Sequence, residues 1–407
     1  MSAHVAIIGA GLSGLTLALA LHQQSIACTL YEARSTPLNI GGAIMLSPNA
    51  LRILDALCVF KRIRSQGYEF DHLHFRSPED KPLDTFEFGS EEKYGYSGMR
   101  IYRHVLINEL SAMAAESGIP IRYHKKFTRV LSEAESSVTW EFYDGTRETA
   151  TCLVGADGIH SKVREYLYPD LEPTFTHTMA VTAAVLTKQL QVPEGYGLPV
   201  TIMNKVHGAF VIAPQQADGS EVLIGRQKRA PQLDRDGWNA LLNDKEWCID
   251  FLRDNAADFP EIVGNAVSSI STDKINLWPF YIVPKLETWS SKFSRVVILG
   301  DAAHAIPPSA GQGINQGFED VYTFALILRH CEGKQELLQE ALKTWQAGRQ
   351  ERVDRVLALN AEIDKRRAPK MPGQGDDEAQ SKPFELGWLY KPDFTDMVDG
   401  WLAGKVL

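Results

Sequence analysis

Short apolar runs alternate with stretches of helical period along this chain, the pattern of strands that feed helices. Residues 5–8 (Val-Ala-Ile-Ile) predict a strand, followed by Gly9-Ala10-Gly11-Leu12-Ser13-Gly14 and an apolar helix over 15–23. A second strand over 29–31 ends on Glu32. Residues 43–46 predict another strand, after which Ser47 and Pro48 suit the N-cap and first position of a helix carrying Leu51, Leu54 and Leu57. Alternation between Phe70 and Phe88 predicts further strands, and 99–113 reads as a helix with Leu106 and Leu110 on one stripe and Arg103 near its start. Strands are expected over 121–123, 138–143 and 151–154, with Asp144-Gly145 as a hairpin turn. Gly155-Ala156-Asp157-Gly158 then leads into a presumed helix with Val163 and Arg164.

From about residue 171 the pattern changes. Strands over 180–186, 200–203, 209–212 and 221–225, a helical pair within 238–255 and a strand entering Leu277-Trp278-Pro279 predict a sheet layer inserted at 171–290. The apolar run 296–299 restores the first pattern and passes through Gly300, Asp301, Gly311 and Gly313 into a helix with Phe318, Val321, Phe324 and Leu328. Residues 1–170 and 291–330 therefore form one discontinuous unit, 331–367 a long charged helix, 368–383 a Pro-, Gly- and acid-rich linker, and 384–407 an aromatic tail that folds back.

With 407 residues and 44% apolar content, the chain can bury a large core. Its formal net charge of −9 disfavours nucleic acid and acidic membrane surfaces as partners and favours small-molecule chemistry. Five scattered cysteines without a C-x-x-C pair indicate reduced thiols and a cytoplasmic protein, with no zinc ligands. The apolar start lacks a basic leader region, and no segment is apolar for long enough to insert stably in a bilayer. A monomer or homodimer is expected.

The first strand–turn–helix carries specific chemistry. Gly9 makes the turn, Gly11 lets backbone approach a pyrophosphate, Gly14 packs helix on strand, and Glu32 can accept from ribose hydroxyls while repelling a 2′-phosphate. This is a Rossmann-type dinucleotide site in an α/β fold. Gly41-Gly42, before Ala43, form either a plain turn or a close approach to a flat ring, and Arg103 either a surface ion pair or a phosphate contact. Asp301 follows the carboxyl end of its strand, where open α/β sheets bind ligands, and the Gly-rich helix entry behind it offers free N–H groups to an anion.

Three motifs occur in order: Gly9 to Gly14 with Glu32, Asp157-Gly158, and Gly300-Asp301 followed by Pro307 and Gly311-x-Gly313. Together, over residues 3–330, the chain resembles the FAD-dependent monooxygenases of the aromatic hydroxylase class. The stretch from Gly300 to Asn315 is similar to tetracycline-inactivating monooxygenases, and the Trp388-Leu389-Tyr390 tail resembles fungal salicylate-hydroxylase-like enzymes. The resemblance implies a Rossmann-type FAD-binding domain, an inserted β-sheet substrate domain and a long C-terminal helix. It places Gly9, Gly11 and Gly14 on the FAD pyrophosphate and Glu32, with Arg34 beside it, on the adenosine ribose. Arg103 and Asp301 fall on the phosphates or ribityl chain, and Asp157 makes indirect contacts. Gly42 and Ala43 fall among the cofactor contacts, and Gly311, Gly313, Ile314 and Asn315 face the flavin. NADPH or NADH would visit as reductant, and O2 would add at the flavin C4a position to give a hydroperoxide that hydroxylates or epoxidises the substrate.

Many phenol hydroxylases of this class carry an arginine on the first substrate-domain strand, whereas residues 179–186 read M-A-V-T-A-A-V-L. The expected substrate is accordingly a neutral aromatic, polycyclic or alkene compound. Phe210, Trp278, Phe280, Tyr281 and Pro308 are candidates for lining its cavity, and Arg226 is the nearest substitute cation, against the alternative of an exposed strand-end charge. His207 and His304 read as structural. A flavin-dependent halogenase is a rival reading, although its W-x-W-x-I-P signature is absent. A non-catalytic escort protein on the same scaffold is another, against which stands the intact motif from Gly300 to Asn315.

Overall fold

The computed structural model describes residues 4–37, 41–307, 311–367 and 383–404. Strands His4–Ile8, Ala27–Tyr31, Ile121–Arg122, Cys152–Gly155 and Val296–Ile298 form a parallel sheet in the order 296–298, 152–155, 4–8, 27–31, 121–122. Such a sheet is buried on both faces, which explains why its strands are unbroken apolar runs rather than alternating ones. Helices Leu12–Gln23, Arg103–Glu116 and Gly313–His330 pack against one another over it.

The second sheet has seven strands, ordered Asn276–Ile282, Thr174–Leu186, Glu221–Arg229, Gly208–Pro214, Val200–Asn204, His72–Arg76 and Pro82–Glu87. Its last two strands come from the first part of the chain, and His72–Arg76 joins Val200–Asn204 in parallel. One face is covered by Arg235–Asn243, Lys245–Arg253 and Glu261–Ala266, and the alternation of each strand shows which positions point there. Met179, Val181, Ala183 and Val185 are buried with Phe210, Ile212, Val222 and Ile224 against these helices. The intervening residues form the opposite face.

Residues 99–102, expected in a helix, are instead part of the strand Gly98–Tyr102, and the helix begins at Arg103. Met99 and Ile101 are fully buried while the strand pairs on both sides with Ala43–Leu46 and Tyr68–Phe70, so sheet pairing overrides a helix-compatible spacing. The long helix spans Leu338–Arg367 and the tail returns as Gly387–Tyr390 and Phe394–Leu402. Trp401 seats so closely on the long helix that a Cβ at Gly348 would lie 2.2 Å from its ring. No helix among the described residues is long and apolar enough to cross a membrane.

Candidate active site

A cleft of about 390 Å³ opens at the carboxyl ends of the parallel strands. Gly9, Gly11, Glu32, Arg34, Arg103, Asp157, Asp301, Gly313 and Ile314 line it, so residues separated by up to three hundred positions converge on one groove. The glycines differ in what they do. Gly9 has φ +102°, and a Cβ on Gly14 would lie 1.9 Å from the Gly9 carbonyl oxygen, so these two serve the turn and the helix packing. Gly11 and Gly313 have nothing within 4 Å of a Cβ; their backbones border open space that a ligand can fill. Both begin helices without a side-chain cap, leaving first-turn N–H groups free for an anion.

Glu32 is buried and held by backbone: its Oε2 accepts from the Ala10 amide at 3.0 Å and its Oε1 from the Arg34 amide at 2.9 Å. Its carboxylate is thus fixed at the end of the second strand before any ribose arrives. Asp301 opens onto the cleft floor, yet the enclosing protein raises its carboxyl pKa, an effect opposed by His304 and by Arg103. Burial lowers the Arg103 pKa in turn, against the pull of Asp301. Asp157 spends one carboxylate oxygen on the Lys162 and Val163 amides, at 2.8 and 3.2 Å, shaping the turn that closes the cleft; burial raises its pKa.

The loop after Asp301 is braced from behind. Asp320 accepts from the Gly300 amide at 2.8 Å and from His304 at 2.6 Å, and also pairs with Arg349 at 2.8 Å. Glu319 pairs with Arg349 and Arg352 and accepts from Asn49 at 2.7 Å. This buried cluster ties the long helix to the cleft. Asn315 uses its side chain to clamp Ser47 N–H, the Met45 carbonyl and the Gly311 carbonyl, at 3.0, 3.2 and 2.7 Å. Gly311, at φ +64°, packs against Met45 and Phe88 rather than bordering open space.

On the sheet side, Gly41 meets the Trp278 ring and Gly42 meets Gln215 and Leu223. Leu223 and Trp278 thereby mark the sheet face turned toward the nucleotide unit, and Phe280 shares the register of Trp278. Phe210 and Tyr281 lie on the other face: Phe210 in the helix-covered core, Tyr281 against Phe175 and donated to by Trp238 at 3.1 Å. Arg226 is also there, fully buried over Phe259 with its centre 5.4 Å from the ring. Strand alternation, which puts Gly225 and Gln227 on the face of Leu223, turns Arg226 to the helix-covered face with Val222 and Ile224. Pro308 lies outside the described residues.

Several cleft residues are not among the positions that define the motifs. Ser13 sits between Gly300 and Gly317, and Lys125, Lys126 and Lys162 with Arg34 give a basic rim to an acidic protein. Their only sequence signal is adjacency to motif residues or to a strand end.

Residues 2–360 match the family described as FAD binding domain. A 3-amino-4-hydroxybenzoate 2-monooxygenase of Streptomyces platensis is 29% identical over 80% of this chain and 79% of its own length. Hispidin-3-hydroxylase of Neonothopanus nambi is 28% identical over 91% and 90%. Among solved structures, CtdE in complex with FAD and a substrate superposes with a TM-score of 0.81 at 20% identity, covering 99% of this chain and 98% of that one. The free helix N-termini, the pre-set Glu32 and the open glycine backbones fit the family's cofactor. The chain belongs to the FAD-binding-domain family and is an FAD-dependent monooxygenase of the aromatic hydroxylase class.

Proposed function

We propose that this monooxygenase oxygenates an uncharged, bulky aromatic, polycyclic or alkene substrate held between the seven-stranded sheet and the flavin. FAD reduced by NAD(P)H supplies activated oxygen, one atom of O2 entering an electron-rich carbon and the other leaving as water. The chain's contribution is to hold, orient and dry that reaction. The amides of Gly9 to Gly14 and the first turn of Leu12–Gln23 would hold the pyrophosphate, Glu32 the adenosine ribose, and Arg103 with Asp301 the chain leading to the ring. The N–H groups at Gly313, Ile314 and Asn315 would face the pyrimidine edge, where donors stabilise the negative charge of the reduced ring.

The observation that carries the substrate class is the composition of the cleft-facing sheet surface. Ala180, Thr182 and Ala184 face it on Thr174–Leu186, Ala209 and Val211 on Gly208–Pro214, and Gly225 on the strand between them. Among the described strand residues on that face the one cation is Arg229, exposed at the far end of its strand, while Arg226 and Lys228 point to the helices, Lys228 toward Asp254 and Phe251. One relative is named for a benzoate, yet the interior of this face offers a carboxylate no cation. Small side chains leave room for a large ring system, and their lack of charge removes the reward for an anion.

A panel of neutral polycyclic and phenolic compounds and matched benzoates tests this, scored by stimulated NAD(P)H oxidation with peroxide measured in parallel. Neutral compounds should stimulate with little peroxide; benzoates giving the highest kcat/KM and tightest coupling would sink the assignment.

A further inference from the structure

The hairpin between Gly208–Pro214 and Glu221–Arg229 reaches the strand Ala43–Leu46 through buried polar contacts that none of the roles above requires. Gln215 is 2% exposed. Its Oε1 accepts from the Ala43 amide at 2.8 Å, and its Nε2 donates to the Tyr102 hydroxyl at 2.9 Å. That hydroxyl donates to Glu221, whose other carboxylate oxygen faces the half-exposed Lys274 ammonium at 2.5 Å. Arg100, buried at the same junction, sends Nη2 to the Ala43 carbonyl at 3.4 Å and Nε to the Pro214 carbonyl at 2.6 Å. The Ala43 amide is therefore tied to this hairpin directly, and its carbonyl through Arg100 of the strand Gly98–Tyr102.

The chemistry of the run fixes its direction. A glutamine amide fits its site nearly as well turned end for end, so its orientation follows from its partners. A carboxylate can only accept, so Tyr102 must spend its proton on Glu221 and keep its oxygen free to accept. Gln215 then has to present Nε2 to Tyr102 and Oε1 to Ala43. Lys274 holds the carboxylate charge that starts this sequence. Gly42 has no side chain because Oε1 of Gln215 lies 2.7 Å from where its Cβ would be, so the amide also sits directly behind the peptide it orients.

We propose that Gln215 is a positioning residue for the flavin reaction: oriented by Glu221 through Tyr102, its amide aims the Gly42–Ala43 peptide at the flavin ring. The inference rests on the reading that this peptide borders the ring. It assigns a task to the hairpin that motif comparison leaves unassigned, and it links the solvent-facing Lys274 to the reaction centre without a proton having to move.

The test uses FAD-loaded Gln215→Leu, Tyr102→Phe and Glu221→Gln enzymes, with three readouts: the absorption and fluorescence of the bound flavin, its reduction potential, and kcat and KM for coupled turnover. Because pyrophosphate and ribose contacts are untouched, FAD is retained. A displaced flavin spectrum and potential are expected in all three, with coupled kcat down by roughly tenfold in Gln215→Leu, the scale of a sub-ångström misplacement, and KM little changed. Tyr102→Phe removes one oxygen atom only, so it decides the matter if Gln215→Leu fails to fold. Wild-type spectra, potential and coupling in Gln215→Leu, or in Tyr102→Phe where the former does not fold, overturn the proposal. Gly42→Ala separates the two layers of inference. If its flavin spectrum is also unmoved, the segment does not border the ring and the underlying reading fails; if it moves while the other variants do not, only the role of Gln215 is lost.

Discussion

At the scale of single residues, Gly11 and Gly14 share a motif but make opposite demands. A methyl at Gly14 collides with the Gly9 carbonyl inside the helix–strand contact, and Gly14→Ala should cost about 3 kcal/mol of stability. A methyl at Gly11 meets no protein atom, so Gly11→Ala should melt like the wild type without cofactor and yet bind FAD weakly; isothermal titration beside thermal melts checks the contrast. Asp301→Ala should likewise keep the fold, judged by circular dichroism, and lose FAD, judged by visible absorbance after gel filtration. Full occupancy in that variant would remove Asp301 from the cofactor site. Arg226 gives the converse case. Its Nε and Nη1 have no hydrogen-bond partner in a buried site, and burial lowers its pKa. Arg226→Met should leave coupling unchanged and stability equal or higher, by up to roughly 1–4 kcal/mol, as when buried ion sites are replaced by well-packed apolar groups.

At the scale of elements, the Gly313–His330 helix is held to the long helix by ion pairs that water does not reach. Glu319 and Asp320 both have pKa values below the ordinary carboxylate range: burial pushes them up, but Arg352 and Arg349 outweigh it for Glu319, and His304 and Arg349 for Asp320. A folded-state value below the unfolded one means that the unfolded chain takes up the protons first. The stabilisation is therefore complete above about pH 4 and is lost as pH falls below that. Thermal melts from pH 7 downward should show this acid limb, and Asp320→Ala, which strands Arg349, should lose about 3–5 kcal/mol at neutral pH with a flatter limb. Sequence reading reached these elements unevenly, for a physical reason. The convergence of Gly9, Gly11, Glu32 and Asp301 on one cleft was legible because each is placed by its own backbone or strand end. Alternation showed that the strands of the second sheet have two faces, but not which face the helices cover, and Phe210, Tyr281 and Arg226 lie on that helix-covered face. The strand over 98–102 was missed because its partners lie some thirty and fifty positions upstream, and the contacts of Gln215 span 113 and 172 positions. Such pairings are set by the fold and leave no local period.

At the scale of the molecule, the tail acts as a brace. Phe394, Met397, Val398 and Trp401 bury one face of Phe394–Leu402 against the Gly313–His330 and Leu338–Arg367 helices. Trp401→Ala should cost about 3–5 kcal/mol in urea unfolding, with FAD restoring part of the midpoint by mass action. The strand order of the parallel sheet carries a different consequence, one of timing. Its edge strand Val296–Ile298 is the last to be synthesised, and it pairs beside Cys152–Gly155, next to the first strand of all. On a ribosome, the pyrophosphate turn emerges early, whereas Asp301 and the Gly313 helix entry emerge only after the whole seven-stranded sheet. The nascent chain must therefore wait, with its first glycine loop already synthesised, for nearly three hundred residues before both walls of the cofactor cleft exist.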